Sequence, residues 1–304
     1  MATLPDRVSI REVGPRDGVQ NEEPVPTSAK VELLDALSAT GVRRIEAVSF
    51  VHPKAIPQMA DADEVWAKAT KVDGVHYSAL VPNTRGAQRA LDAGFREVEV
   101  VVSASDTHNR HNVNRSTEES LDDIAELIAM LHASGATAEV IIATSFGCPY
   151  DGDIDPKRVA GIVTRVLADG ADRIAFGDTT GMATPRRVTN VLDAVRVAHP
   201  DLPVLLHFHD TRGTGLANIV TALEFGVTDF DASVGGLGGC PYAPGATGNV
   251  ATEEVVHMLH DMGIDTGIDL DAMIEAAALA QRIVGRELPS GVLRAGPRTR
   301  LVPR

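Results

Sequence analysis

Short runs rich in β-branched and other apolar residues recur along the chain about every thirty positions. Each is followed by a stretch in which apolar residues return every three or four positions. The runs predict strands near 8–13, 43–48, 75–80, 96–102, 138–144, 171–176, 203–208 and 229–234. The intervening periodicity predicts helices near 28–40, 59–71, 83–93, 117–134, 156–169, 184–198, 214–226 and 250–262, with one more near 269–284. Ser116 and Glu119 have the spacing of a capping box, and Gly41, Gly94, Gly135, Gly170 and Gly226 stand where helices should stop. A strand followed by a single helix demands parallel pairing with right-handed crossovers. Eight such units predict an α/β fold of the (β/α)8 TIM-barrel kind, a single catalytic domain over 1–304 in which 263–304 is a C-terminal helical extension. The alternative, a doubly wound sheet, places a nucleotide-binding glycine loop after its first strand; here that place holds Gly14-Pro15-Arg16-Asp17-Gly18.

The unusual polar residues fall just after strands, where barrel enzymes build their sites. His207 and His209 are two apart at a strand end, so both imidazoles point to one side and Phe208 to the other. For an isolated His-x-His, a pair of hydrogen-bonded polar residues is as good a reading as a metal site. The context favours the metal. Asp17 follows the first strand and Asn249 the eighth, and barrel closure makes both neighbours of the seventh. Two nitrogens, a carboxylate and an amide oxygen suit an octahedral divalent cation, Mg²⁺ or Mn²⁺, better than structural zinc. Arg16 is an anion-clamp candidate at that mouth, although a lone Arg-Asp pair is usually a surface salt bridge. Glu46, ending an otherwise apolar strand, reads equally as a catalytic group or as the partner that holds Arg16. Asp178, after the sixth strand, reads as a residue that orients a ligand.

Glycines 235, 236, 238, 239, 245 and 248 crowd around Cys240, a density that lets a loop bend tightly or bring its backbone close to a ligand. A free cysteine is more often a small core residue than a catalyst. Cys240, on a polar loop over the mouth, is read as catalytic, and Cys148 as structural. With 44% hydrophobic residues in 304 the chain can bury a sizeable core, and a net charge of −14 argues against nucleic acid or an anionic membrane as partner. Two cysteines and no signal-like or membrane-spanning run point to a cytoplasmic protein.

The segments EVGPRDGVQNE, HFHDT and SVGGLGGCPY together resemble the 3-hydroxy-3-methylglutaryl-CoA lyases, a branch of the barrel superfamily that includes isopropylmalate synthase and the pyruvate carboxylase transferase domain. The resemblance runs from about residue 8 to 285. It implies an acyl-CoA thioester substrate, cleaved to acetyl-CoA and a keto acid. Asp17, His207, His209 and Asn249 would ligate the cation, Arg16 would steady the thioester enolate, His207 or Asp17 would serve as base, and Cys240 would return a proton. Gln20, Glu46, Asp178 and Glu253 match further site positions of the family. Glu23, Ala55 and Phe208 depart from residues common there, which leaves citramalyl-CoA or a longer branched homologue as the close alternative substrate. A condensing synthase of the superfamily is the next alternative, and a homodimer or higher homo-oligomer is expected.

Overall fold

The computed structural model describes residues 4–239 and 248–301. Eight parallel strands, β1 Ser9–Glu12, β2 Arg44–Ser49, β3 His76–Leu80, β4 Glu97–Ser103, β5 Thr137–Ala143, β6 Arg173–Gly177, β7 Val204–His207 and β8 Asp229–Ala232, pair in sequence order, and β8 pairs with β1 to close a barrel. Around them run α1 Thr27–Ser38, α2 Ala62–Lys68, α3 Thr84–Asp92, α4 Asp106–Val113, α5 Thr117–Ala133, α6 Pro156–Ala168, α7 Pro185–Ala198, α8 Gly215–Glu224 and α9 Thr252–Asp261. Two more helices follow, α10 Leu270–Val284 and α11 Gly291–Ala295. Among the described residues no helix is long and apolar enough to cross a membrane.

Every predicted strand is present, and the helix ends follow the local chemistry. Ser116 Oγ accepts from the Glu119 N–H while the Glu119 carboxylate accepts from the Ser116 N–H, so both groups exposed at the start of α5 are satisfied. The predicted helix at 59–71 is shorter, because Pro57–Met59 makes its own turn and the backbone is extended at Ala69. No helix was expected at 106–113. Its Ser105 cap, which accepts from the His108 N–H, starts it, and Asn114 in the left-handed conformation ends it.

Side chains alternate along each strand. Val98, Val100 and Val102 of β4 and Ala138, Val140 and Ile142 of β5 are buried, and the interleaved Glu99 and Glu139 meet Arg11 in the barrel interior. The register sets Arg11 beside Asp231 and Glu99 beside Glu139. After β8 the chain returns to the barrel floor, where Asp265 bonds to the backbone of Asp6 and Val8, and α10 then lies between α9 and α1. The extension thus occupies the outer layer over the seam where the first and last strands meet.

Candidate active site

Beyond β1 the backbone makes one wide turn, Gly14–Gly18, in which the N–H groups of Asp17 and Gly18 both reach the Val13 carbonyl and that of Val19 the Gly14 carbonyl. Glu12 anchors this turn, its buried carboxylate accepting from the Gly14 and Val234 N–H groups at 2.7 and 2.9 Å and from Thr252 Oγ1 at 2.6 Å. The result is to turn Arg16 and Asp17 inward over the barrel mouth, where both are buried.

Asp17 Oδ1 accepts from Arg16 Nη1 and Gln20 Nε2, each at 2.7 Å, and Oδ2 accepts from Asn249 Nδ2 at 2.7 Å. Burial alone would raise its pKa; the charges of Arg16, His207 and His209 and the Asn249 bond outweigh that and hold it below the ordinary value. His207 ends β7 and His209 lies two residues on, bridged antiparallel to Asn249. Their Nε2 atoms face one another at 3.1 Å, and one ligand atom from each of Asp17, His207 and His209 lies within 4.8 Å of the others. His207 Nδ1 rests 3.1 Å from Asp231 Oδ2.

This donor set fits a divalent cation. Two nitrogens in neighbouring positions around an octahedral ion at about 2.1 Å stand about 3 Å apart. The amide of Asn249 gives its Nδ2 to Asp17 and to the Leu237 carbonyl, leaving Oδ1 buried with no hydrogen-bond partner beside the cluster. Burial, followed by the neighbouring His207, lowers the His209 pKa to about 3, so that its imidazole is neutral and free to ligate. Gly238 closes the turn against this group. A Cβ there would stand 2.6 Å from Asn249 Nδ2 and 3.2 Å from Asp17 Oδ2, at a φ of +99° that other residues rarely adopt.

Arg16 bridges the cluster to Glu46, with Nη2 2.6 Å from Oε2. Burial works against the Arg16 charge, but Glu46 and Asp17 outweigh it, and the guanidinium stays charged. Glu46, expected at a strand end, lies instead in the middle of β2, which runs on to Ser49; fully buried, it is pushed well above the usual carboxylate range by burial, with Glu99 adding to the effect and Arg16 opposing it. Asp178 stands apart from the ligand atoms. Its Oδ1 accepts from the N–H groups of Met182 and Ala183, and burial raises its pKa to about 7. Glu253 accepts from the Gly235 N–H. The sequence-predicted Arg16, Asp17, Glu46, His207, His209 and Asn249 therefore come together at one mouth, whereas Cys240 lies outside the described residues. Asp231, Arg11, Glu99 and Glu139, behind the histidines, were not anticipated; what sets them apart is a shared level on four strands that only the register reveals.

The HMGL-like family model matches residues 7–280. The chain is 46% identical to hydroxymethylglutaryl-CoA lyase YngG of Bacillus subtilis over 94% of this chain and 96% of that protein. It is 44% identical to the (R)-citramalyl-CoA lyase of Chloroflexus aurantiacus over 96% of each. The structure of an HMG-CoA lyase from Acinetobacter baumannii in complex with coenzyme A and 3-methylmalate superposes with a TM-score of 0.94 at 42% identity, covering 100% of both chains.

Proposed function

This chain belongs to the HMGL-like family, and from that premise we propose that it is a metal-dependent carbon–carbon lyase that splits 3-hydroxy-3-methylglutaryl-CoA into acetyl-CoA and acetoacetate. The observation that carries the reading is the convergence of Asp17, His207, His209 and Asn249 on one point beside the Arg16–Glu46 pair. Asp17, His207, His209 and Asn249 would hold Mg²⁺ or Mn²⁺, which on binding the substrate's tertiary hydroxyl lowers its pKa.

The remaining steps fall to the chain's own groups. With His207 and His209 serving as ligands, Asp17 would accept the hydroxyl proton. As the carbon–carbon bond breaks, the hydroxyl carbon becomes the ketone of acetoacetate and the electron pair passes to the thioester as an enolate. The guanidinium of Arg16, pinned between Asp17 and Glu46, is already aimed and need not reorganise to meet that charge. Cys240 then protonates the enolate carbon to give acetyl-CoA. A thiol with an ordinary pKa of about 8.5 is mostly protonated at neutral pH and can donate. Asp178 and Glu253 hold the backbone at Met182–Ala183 and at Gly235.

The similarity to a citramalyl-CoA lyase favours one second reading, the same bond cleavage on that thioester. A panel of 3-hydroxyacyl-CoA thioesters with the metal-loaded enzyme, read by acetyl-CoA and keto-acid release, separates the two. Acetoacetate from 3-hydroxy-3-methylglutaryl-CoA as the fastest product is expected. Faster pyruvate release from citramalyl-CoA would transfer the assignment, and no cleavage of any member would overturn it. The reading includes a cytoplasmic enzyme that assembles as a homodimer or larger oligomer.

A further inference from the structure

Behind the two histidines lies a buried ionic cluster that the cleavage chemistry leaves unused. Arg11, in the middle of β1, is 1% exposed, and its guanidinium meets three carboxylates. Nε donates to Asp231 Oδ1 at 2.7 Å and Nη2 to Asp231 Oδ2 at 3.0 Å. Nη1 donates to Glu99 Oε1 at 2.5 Å and to Glu139 Oε1 at 2.7 Å. Arg44, from β2, reaches the other Glu139 oxygen at 3.3 Å and Asp229 at 3.4 Å. The five contacts that Arg11 and Arg44 make with Glu99, Glu139 and Asp231 run inside the closed barrel, where the desolvation cost of an ion pair is high. Barrel interiors are ordinarily filled by branched apolar side chains, which would pack here at lower cost.

What the cluster achieves is visible at Asp231. The fork of Arg11 grips both of its oxygens, a two-point contact that fixes the plane of the carboxylate. The oxygen that receives Nη2 is the one that faces His207 Nδ1 at 3.1 Å. A carboxylate held at Nδ1 keeps the proton of a neutral imidazole on that nitrogen and sets the ring's rotation. Nε2 is then the nitrogen left to face His209 and Asp17. His209 has no comparable hold, because its Nδ1 is buried without a hydrogen-bond partner. The cluster of ligands therefore has one ring fixed from behind, and the fixing runs through Arg11.

We propose that Arg11 is a positioning residue that, through its two-point grip on Asp231, presents His207 Nε2 to the divalent cation. The inference rests on reading Asp17, His207 and His209 as a metal site. Glu99 and Glu139 balance the Arg11 charge and take no part in the presentation.

Mn²⁺ binding to the metal-stripped full-length protein, measured by titration calorimetry, tests this without turnover. Replacing Arg11 alone would strand three buried carboxylates, so the comparison is made in a charge-balanced background. Glu99→Gln with Glu139→Gln is expected to bind Mn²⁺ like the wild type. Adding Arg11→Met to that pair is expected to weaken binding by ~10–100-fold, the effect usual for a lost partner behind a ligating histidine, with an unchanged far-UV spectrum. Arg11→Lys, which keeps the charge but not the fork, is expected to weaken it by several-fold (about 1 kcal/mol at most). Wild-type affinity in the triple variant overturns the proposal, as does equal weakening in the Gln pair. If the triple variant does not fold, Arg11→Lys decides alone, and wild-type affinity there overturns it. A wild-type protein that binds no Mn²⁺ would instead remove the metal reading itself.

Discussion

Cys148 and Cys240 sit in the same Gly-Cys-Pro-Tyr sequence, and the residues around the thiol decide what each can do. Cys148 is fully buried, its Sγ donating to Ser105 Oγ at 3.0 Å and accepting from the Tyr150 N–H at 3.4 Å, so it is a packed polar contact with no path to a substrate. Cys240 is the proposed proton donor. Serine is nearly the same size and a far weaker acid, which separates the two roles. Cys240→Ser should fold and bind metal normally yet turn over about 10²–10⁴-fold more slowly, whereas Cys148→Ser should keep most of its activity. Steady-state kinetics with metal content measured in parallel checks this, and near-normal turnover of Cys240→Ser would remove that residue from the mechanism. At this scale the sequence was informative for groups at strand ends, where His207 and His209 stand out beside Leu206 and Phe208 and Asp17 follows the first strand in Gly-Pro-Arg-Asp-Gly. It was uninformative for Arg11. A charge between Ile10 and Glu12 reads as ordinary strand alternation, and its partner Asp231 is 220 residues away.

Elements are joined at the mouth by Glu12, which ties the wide turn after β1 to the turn Val234–Gly236 and to the start of α9. Burial, the largest influence, pushes its pKa up to about 7 from an ordinary 4.5, against the pull of its three donors. The folded protein therefore holds this proton more tightly than the unfolded chain does. The associated stability is fully present below about pH 4.5 and is lost as pH rises through about 7. Relative to Glu12→Gln, which cannot titrate, the wild type should lose roughly 3 kcal/mol between pH 4.5 and 8. Urea unfolding of both proteins across that range measures it; parallel stability curves would contradict the prediction. The elements themselves were legible wherever apolar periodicity was strong, as in β4, β5 and α5. They were illegible at α4, Asp-Thr-His-Asn-Arg-His-Asn-Val, which has no apolar stripe. Its stability comes from contacts a local pattern cannot show. Asn109 Nδ2 reaches the Arg115 and Ser116 carbonyls and Ser120 Oγ, and Ser103 bonds His108.

At the scale of the whole molecule, the proposed metal ligands stand at the end of β7 and on the loops above a barrel whose core, from Val8 to Leu288, is complete without them. Chelation should therefore abolish cleavage while leaving the far-UV spectrum unchanged and lowering the melting midpoint only by the lost binding energy. Added Mg²⁺ or Mn²⁺ should restore turnover, and full activity in exhaustively chelated enzyme would end the metal reading. The closure of β8 on β1 also orders events in time. Asp17 and Asn249, bonded in the finished site, are 232 residues apart in the chain. At a synthesis rate of about 5–20 residues per second, about 10–50 s separate their emergence from the ribosome. For nearly all of that interval the nascent chain carries Arg11 without Asp231 and Asp17 without Asn249, and a polypeptide halted before residue 207 would hold Asp17 with none of the residues that gather around it from the last two strands.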